Sequence, residues 1–277
     1  MNTYPKISIV TPSFNQAQFL EQTIQSILNQ EYPNLEYIIM DGGSTDNSLE
    51  IIKKYSDKLF HWQSKKDNGQ ADAILRGFEL CTGDVIGWVN SDDVLLPGAL
   101  KEVGNYFLRN NDAEFLVGSS ITIDENNNLG RTVRGIPIFN IGRSVNACQL
   151  MYWGCGFNQP ASFWKREVYN IVGKIDASFY FSFDLDLFIR LTLLKRSART
   201  SKFLAAFRVH SQSKTTLNDD IRLKENDRIY SRYKSKIYNR VKVEYYKNYY
   251  SHIASFRQRI FIILYYLGII KLPKLDR

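Results

Sequence analysis

The side chains best able to do chemistry in this chain of 277 residues are acids that follow short apolar runs. Asp92 and Asp93 stand just beyond the run 85–89. Two adjacent carboxylates repel each other unless a cation lies beside them, so a divalent metal is the first chemistry to consider. The alternative is that the pair opens a turn or caps the helix expected after Pro97. Thr11, Pro12 and Asn15 follow the run 6–11, Asp41 and Asp46 follow 35–40, and Asp67 and Asp72 stand at the start of a helical pattern. Later, Asp184 and Asp186 open another helical pattern, and His210 ends the run 203–209. Any one of these acids reads equally as a cap. Together they suit a site that handles a metal and a polyanion such as a nucleoside diphosphate, since Mg2+ or Mn2+ takes one or two carboxylates and completes its shell with phosphate and water.

The elements that must position these groups alternate. The β-branched runs 6–11, 35–40 and 85–89, with 60–63 as a shorter strand, are separated by helical patterns, the last of them over 70–81. This order predicts an α/β domain with a Rossmann-like, mostly parallel sheet flanked by helices. Open sheets of that kind bind ligands beyond the carboxyl ends of their strands, so the polar loops at 11–15, 41–46 and 90–93 should line one rim. After Pro97 the pattern predicts a helix to about 109, a strand over 114–123 and a polar turn at 124–128. Residues 130–158 show no regular pattern. A helix is expected over 163–172, a second from 184, a strand over 203–209 and a charged, tyrosine-rich helical stretch over 218–250.

Charge divides the chain unevenly. Of 36 Lys and Arg, 21 lie in residues 190–277 against 6 of the 28 acids, which leaves +15 there and −7 in the remainder. The apolar run 260–270 lies between Arg257, Arg259, Lys271 and Lys274. Spanning a bilayer takes about 20 such residues, so this run is expected to lie in a membrane interface, the alternative being a core or dimer helix. A nucleic-acid-binding role is the non-enzymatic alternative for the basic third. The apolar run favours a lipid surface, and no nucleic-acid partner is expected. Three scattered cysteines form neither a disulfide framework nor a metal clip, and no secretory signal opens the chain. A cytoplasmic protein, peripheral on the inner face of the membrane, is expected. No GxGxxG, GxxxxGK[ST] or GxSxG motif is present, which removes the usual support for dinucleotide oxidoreductases, P-loop enzymes and α/β-hydrolases.

Three segments carry a more specific resemblance. Pro5-Lys6-Ile7-Ser8-Ile9-Val10-Thr11-Pro12-Ser13-Phe14-Asn15, Met40-Asp41-Gly42-Gly43-Ser44-Thr45-Asp46 and Asn90-Ser91-Asp92-Asp93 resemble, in order and spacing, the family 2 glycosyltransferases. The resemblance covers residues 5 to about 215. It implies a GT-A fold, a nucleotide-sugar donor with UDP-sugar the leading choice, a divalent cation (Mn2+ or Mg2+) and inversion at the anomeric carbon. By the same resemblance Thr11, Pro12, Asn15, Asp41, Asp67, Asp72 and Asp92 would contact the nucleotide sugar, Asp93 and His210 the metal, and Asp184 would be the general base. Gly42 stands where many relatives carry a second acid, and Phe183 stands where they carry a Glu beside the base. Trp153, Phe157, Gln159 and Trp164 would meet a saccharide or lipid-linked acceptor in a polysaccharide or glycolipid pathway. The expected division is a transferase domain over 1–215, its nucleotide half about 1–110 and its acceptor half about 111–215. A helical, basic and membrane-associating extension would occupy 216–277. An inactive, transferase-like protein is the other alternative.

Overall fold

The computed structural model describes residues 4–129, 139–140, 158–194, 197–214 and 219–237. Four parallel strands form one half of the sheet: β1 (Ile7–Ser13), β2 (Leu35–Asp41), β3 (His61–Ser64) and β4 (Val85–Trp88), in the spatial order β3-β2-β1-β4. Between them run α1 (Ala17–Leu28), α2 (Ser48–Lys54) and α3 (Gln70–Leu80), which supply the crossovers that parallel strands require. β1 is buried at every position, as expected of a strand covered on both faces. α3 lies so close to β1 that a Cβ on Gly77 would come within 2.5 Å of Val10. Only a residue without a side chain permits that approach.

Beyond β4 the sheet turns mixed. β5 (Val94–Leu95) and α4 (Ala99–Arg109) precede β6 (Phe115–Ile123), and the short β7 (Phe139–Asn140) pairs with β6. β8 (Ser162–Lys165) runs antiparallel between β4 and β6, while β9 (Ala198–Arg208) runs parallel to β6 and antiparallel to β5. The full order is β3-β2-β1-β4-β8-β6-β9-β5. The mostly parallel sheet expected is thus parallel throughout its first half and mixed in its second, where β6 and β9 are the parallel pair. The helix expected over 163–172 is also corrected: residues 162–165 extend the sheet, and only α5 (Arg166–Val172) is helical. Ser162, Phe163 and Trp164 are nearly wholly enclosed, which a strand between two others explains and a surface helix does not.

α6 (Phe183–Leu194) carries two acids in its first turn. α7 (Asp219–Ile237) is the described part of the expected extension, and it packs on the main body instead of standing apart. Its Ile229 (0% exposed) and Tyr233 belong to the same core cluster as Trp88, Phe179 and Phe188. No helix among the described residues is long and apolar enough to cross a membrane. The run 260–270 and the irregular stretch 141–157 lie outside the described residues.

Candidate active site

The carboxyl ends of β1, β2 and β4 and the far end of β9 open on one cavity of about 560 Å3. Small-molecule sites usually measure about 300–1,000 Å3. Pro12, Asp67, Asn90, Asp92, Gln159 and Asp184 line it, which brings together residues from five separated stretches of the sequence. Lys66 and Lys214 add two amines to the wall, and Tyr180 and Phe183 add two rings.

The two acids after β4 stand in different surroundings. Asp93 is completely buried: its carboxylate accepts the backbone N–H of Arg208 at 2.9 Å and the side-chain amide of Asn90 at 3.2 Å. Burial, and next the charge of Asp92, push its pKa well above the usual carboxylate range. Its side chain does not line the cavity. Asp92 is the one on the cavity wall, with its Oδ2 3.1 Å from Nε2 of His210. A tight turn, closed by the N–H of Asp93 donating to the carbonyl of Asn90 at 3.0 Å, sends the neighbouring side chains different ways. His210 is itself nearly enclosed, its ring 4.7 Å from that of Phe19.

Arg208 carries no role in the sequence reading, yet it holds this corner together. It is 1% exposed. Its guanidinium donates to the Asp92 carbonyl (2.7 Å), the Asp124 carbonyl (3.0 Å), Asn127 Oδ1 (2.8 Å) and Gln22 Oε1 (2.7 Å), and it lies 4.7 Å above the ring of Phe19. The signal was available: Ala206 and Arg208 share one face of β9, and an arginine in register with a buried apolar residue must find acceptors inside.

Four other residues expected to contact the donor have partners within the protein. Thr11 is buried and accepts the Tyr37 hydroxyl at 3.0 Å. Asn15, in the left-handed region at φ 52°, accepts the Thr45 N–H at 2.8 Å and so stitches the first rim loop to the second. Asp41 is 1% exposed and takes hydrogen bonds from the N–H groups of Gly43 and Ser44 and the hydroxyls of Ser44 and Ser64. Asp72 accepts the Asn68 N–H at 3.0 Å and pairs with Arg76 at 2.7 Å. In turns, short acids reach the nearest backbone donors first, and that local competition is invisible to motif spacing. None of these four lines the cavity.

Asp67 does line it, and burial raises its pKa. A Cβ at Gly42 would meet Asp67 Oδ2 at 2.8 Å. The carboxylate of Asp67 thus occupies the space beside the position where a second acid would project. Asp184 sits at the start of α6, on the wall, its Oδ1 accepting the Leu185 N–H at 2.7 Å. Facing it, Lys214 donates to the carbonyl of Tyr180 (2.8 Å) and to Gln70 (3.2 Å), with its amine 4.0 Å over the Tyr180 ring. Burial lowers the Lys214 pKa to about 8, while the charges of Asp184 and Glu225 work the other way.

Of the expected acceptor residues, Gln159 is on the wall, donating to the Trp88 carbonyl at 2.8 Å and accepting from Asn90 at 3.1 Å. Trp164 is corrected: at 0% exposure it packs edge-on against Trp88, Phe78 and Phe115 in the core, where no acceptor reaches it. Trp153 and Phe157 lie outside the described residues.

A divalent metal fits this wall within limits. Among the described residues no three His, Cys, Asp or Glu gather into a metal-holding group. Asp92 and His210 offer one oxygen and one nitrogen side by side, and a carboxylate supplemented by substrate phosphates and water is how Mg2+ is commonly held.

A twisted sheet with parallel nucleotide-side strands and a rim cavity is the GT-A architecture of nucleotide-sugar transferases. The chain superimposes on Staphylococcus aureus TarS 1–349 in complex with UDP with a TM-score of 0.61 at 18% identity, covering 81% of this chain and 64% of that one. It also matches mannosyltransferase PcManGT from Pyrobaculum calidifontis, in complex with GDP-Man and Mn2+, with a TM-score of 0.55 at 16% identity over 76% of this chain and 59% of that one. Residues 8–171 match the family described as Glycosyl transferase family 2, and the chain belongs to that family of enzymes. An uncharacterized glycosyltransferase of Haemophilus influenzae is 40% identical over 111 residues, which is 38% of this chain and 44% of that protein. The poly(ribitol-phosphate) beta-N-acetylglucosaminyltransferase TarP of Staphylococcus aureus is 35% identical over 118 residues, 41% of this chain and 36% of that protein. The matched stretch thus spans less than half the length of either relative.

Proposed function

We propose that this chain transfers a sugar from a UDP-sugar to a hydroxyl acceptor with inversion at the anomeric carbon. The observation that carries the reading is that Asp184 and Lys214 share a single cavity wall with Asp92, which His210 contacts from behind that wall. The names of TarP and of the UDP-bound TarS support UDP over other nucleotides and an N-acetylhexosamine as the sugar. In a single displacement, the acceptor oxygen forms its bond to the anomeric carbon as the bond from that carbon to the diphosphate oxygen breaks. UDP leaves with the electron pair, and Asp184 takes the acceptor's proton. Lys66 and Lys214 bring positive charge to the wall where the leaving diphosphate gains negative charge, the kind of fixed electrostatic complement that lowers barriers most. A Mn2+ or Mg2+ held by Asp92 and His210 would add Lewis-acid stabilisation of the same oxygens. Gln159 is the described residue we assign to the acceptor side. We place the reaction in polysaccharide or glycolipid synthesis at the inner face of a membrane, with residues beyond 237 meeting the lipid surface. The basic, apolar composition of that segment supports this placement.

The test is a panel of UDP- and GDP-sugars with Mn2+, read as nucleotide release and, by calorimetry, as nucleotide affinity. Manganese-dependent release from a UDP-sugar is expected; binding and release confined to GDP-sugars would overturn the donor assignment. A pH profile is a second expectation. Lys214 is protonated below about 8 and loses its charge above it, so kcat/KM, which reports the free enzyme, should fall as pH rises through about 8. Lys214→Arg keeps its charge throughout and should lose that limb. A limb unchanged in Lys214→Arg would assign it to another group.

A further inference from the structure

The helix α7 presents one face to the segment that leads into the candidate base. Glu225, Arg228, Ile229, Arg232 and Tyr233 recur at helical spacing, and all but Ile229, which joins the buried core, reach residues 176–186 with polar groups. Arg232 pairs with Asp176 and Asp186 at 2.9 Å each, Tyr233 donates to Asp186 at 2.8 Å, and Arg228 donates to Ser178 at 2.8 Å. Arg228 and Arg232 also lie 4.4 and 5.0 Å from the ring of Phe179. The contact made by Glu225 differs in kind. Its carboxylate accepts three consecutive backbone N–H groups, those of Tyr180 at 2.7 Å, Phe181 at 2.8 Å and Ser182 at 2.8 Å. These donors precede α6 and turn toward an anion, so the acid serves as a cap supplied by a distant helix. On its other side the same loop is held by Lys214 through the Tyr180 carbonyl. Tyr180, Phe181, Phe183 and Asp184 line the cavity, so whatever fixes residues 180–182 fixes that wall.

We propose that Glu225 is a positioning residue: by filling the nest at 180–182 it sets where the Asp184 carboxylate and the Lys214 amine stand relative to the donor. This rests on the reading of Asp184 as the base. The acid touches no substrate and acts only through the loop. An ångström of misplacement in a reacting group costs on the order of 10²-fold in rate. Because the nest is made of backbone donors, removing the side chain leaves an anion site that a small carboxylate can refill.

The experiment uses the full chain, with UDP release from UDP-N-acetylglucosamine in Mn2+ as the rate, water serving as acceptor, and UDP affinity measured by calorimetry. For Glu225→Ala we expect kcat to fall by about 10- to 100-fold. UDP affinity should stay within about twofold, and acetate or formate added to the assay should restore part of the lost rate without affecting wild type. Glu225→Gln retains an acceptor oxygen but not the charge, and should fall between the two; it replaces the alanine variant should that one not fold. A kcat within about twofold of wild type, or a loss that carboxylate does not relieve in a folded Glu225→Ala protein, overturns the proposal. The Asp184 reading fails separately: Asp184→Asn at full rate removes it, whereas an inactive Asp184→Asn beside a fully active Glu225→Ala leaves the base standing and removes only the positioning role.

Discussion

Asp184→Asn is expected to lower kcat for UDP release by about 10²–10⁴-fold, the range usual for loss of a general base. The amide is close to isosteric with the carboxylate, and either can accept the Leu185 N–H, so the start of α6 should hold its geometry. What disappears is the ability to accept a proton and the negative charge facing Lys214. UDP affinity should change little, because the diphosphate does not depend on the base. A loss of this size in kcat with unchanged nucleotide affinity separates a proton acceptor from a binding group. Turnover at the wild-type rate would remove Asp184 from the mechanism.

The second large effect concerns stability. Arg208→Met is expected to cost about 3–5 kcal/mol, the scale of removing one partner from a buried charged network. Methionine fills much of the volume and keeps the contact with Phe19, so the loss is chiefly electrostatic. The carbonyls of Asp92 and Asp124 and the oxygens of Gln22 and Asn127 would all lose their donor at once. Asp93, already disfavoured as an anion by burial, would lose the nearby positive charge that opposes its neutralisation. Urea unfolding followed by near-UV circular dichroism measures this as a drop in midpoint at constant slope. A loss below about 1 kcal/mol would mean that water or a rearranged loop replaces the arginine, and that the corner does not depend on it.

These two residues also mark how far the sequence can be read. Asp184 was singled out because an acid two residues before another at a helix start resembles the family's base position, and it lies on the cavity wall. β1, β2 and β4 were visible because a strand buried on both faces reads as an apolar, largely β-branched run and the helices between carry a 3.6-residue period. The mixed half was not. β5 has two residues, and β8 is four residues that continue directly into a helix, so periodicity cannot divide them. Within the site, spacing located the loops but not which way each side chain points. Asp92 and Asp93 are one bond apart in the chain and opposite in exposure, a difference set by a single turn. Asp41 and Asp72 look like ligands in a motif and serve as local acceptors, because backbone donors one to four residues away outcompete anything arriving from solution. Arg208 and Glu225 were missed since their partners are distant in sequence. Within the basic last third, Arg228 and Arg232 are exposed yet also bond to residues 176–178 of the same chain, partners that composition does not reveal.

The three-donor nest closed by Glu225 also sets an order in time. A chain emerges from the ribosome N-terminus first, and its parts fold as they become complete. β1 to β4 and their rim loops are complete in the chain once residue 95 or so has emerged, apart from the strands that cover their edge. The loop at 180–182 has its donors in place early but no acceptor until α7 is made, some 43 to 45 residues later. During synthesis there is therefore an interval in which β1 to β4 are complete and the loop at 180–182 still lacks the carboxylate of Glu225. On the proposed reading of Asp184, α7, the last helix among the described residues, completes the wall that carries the base.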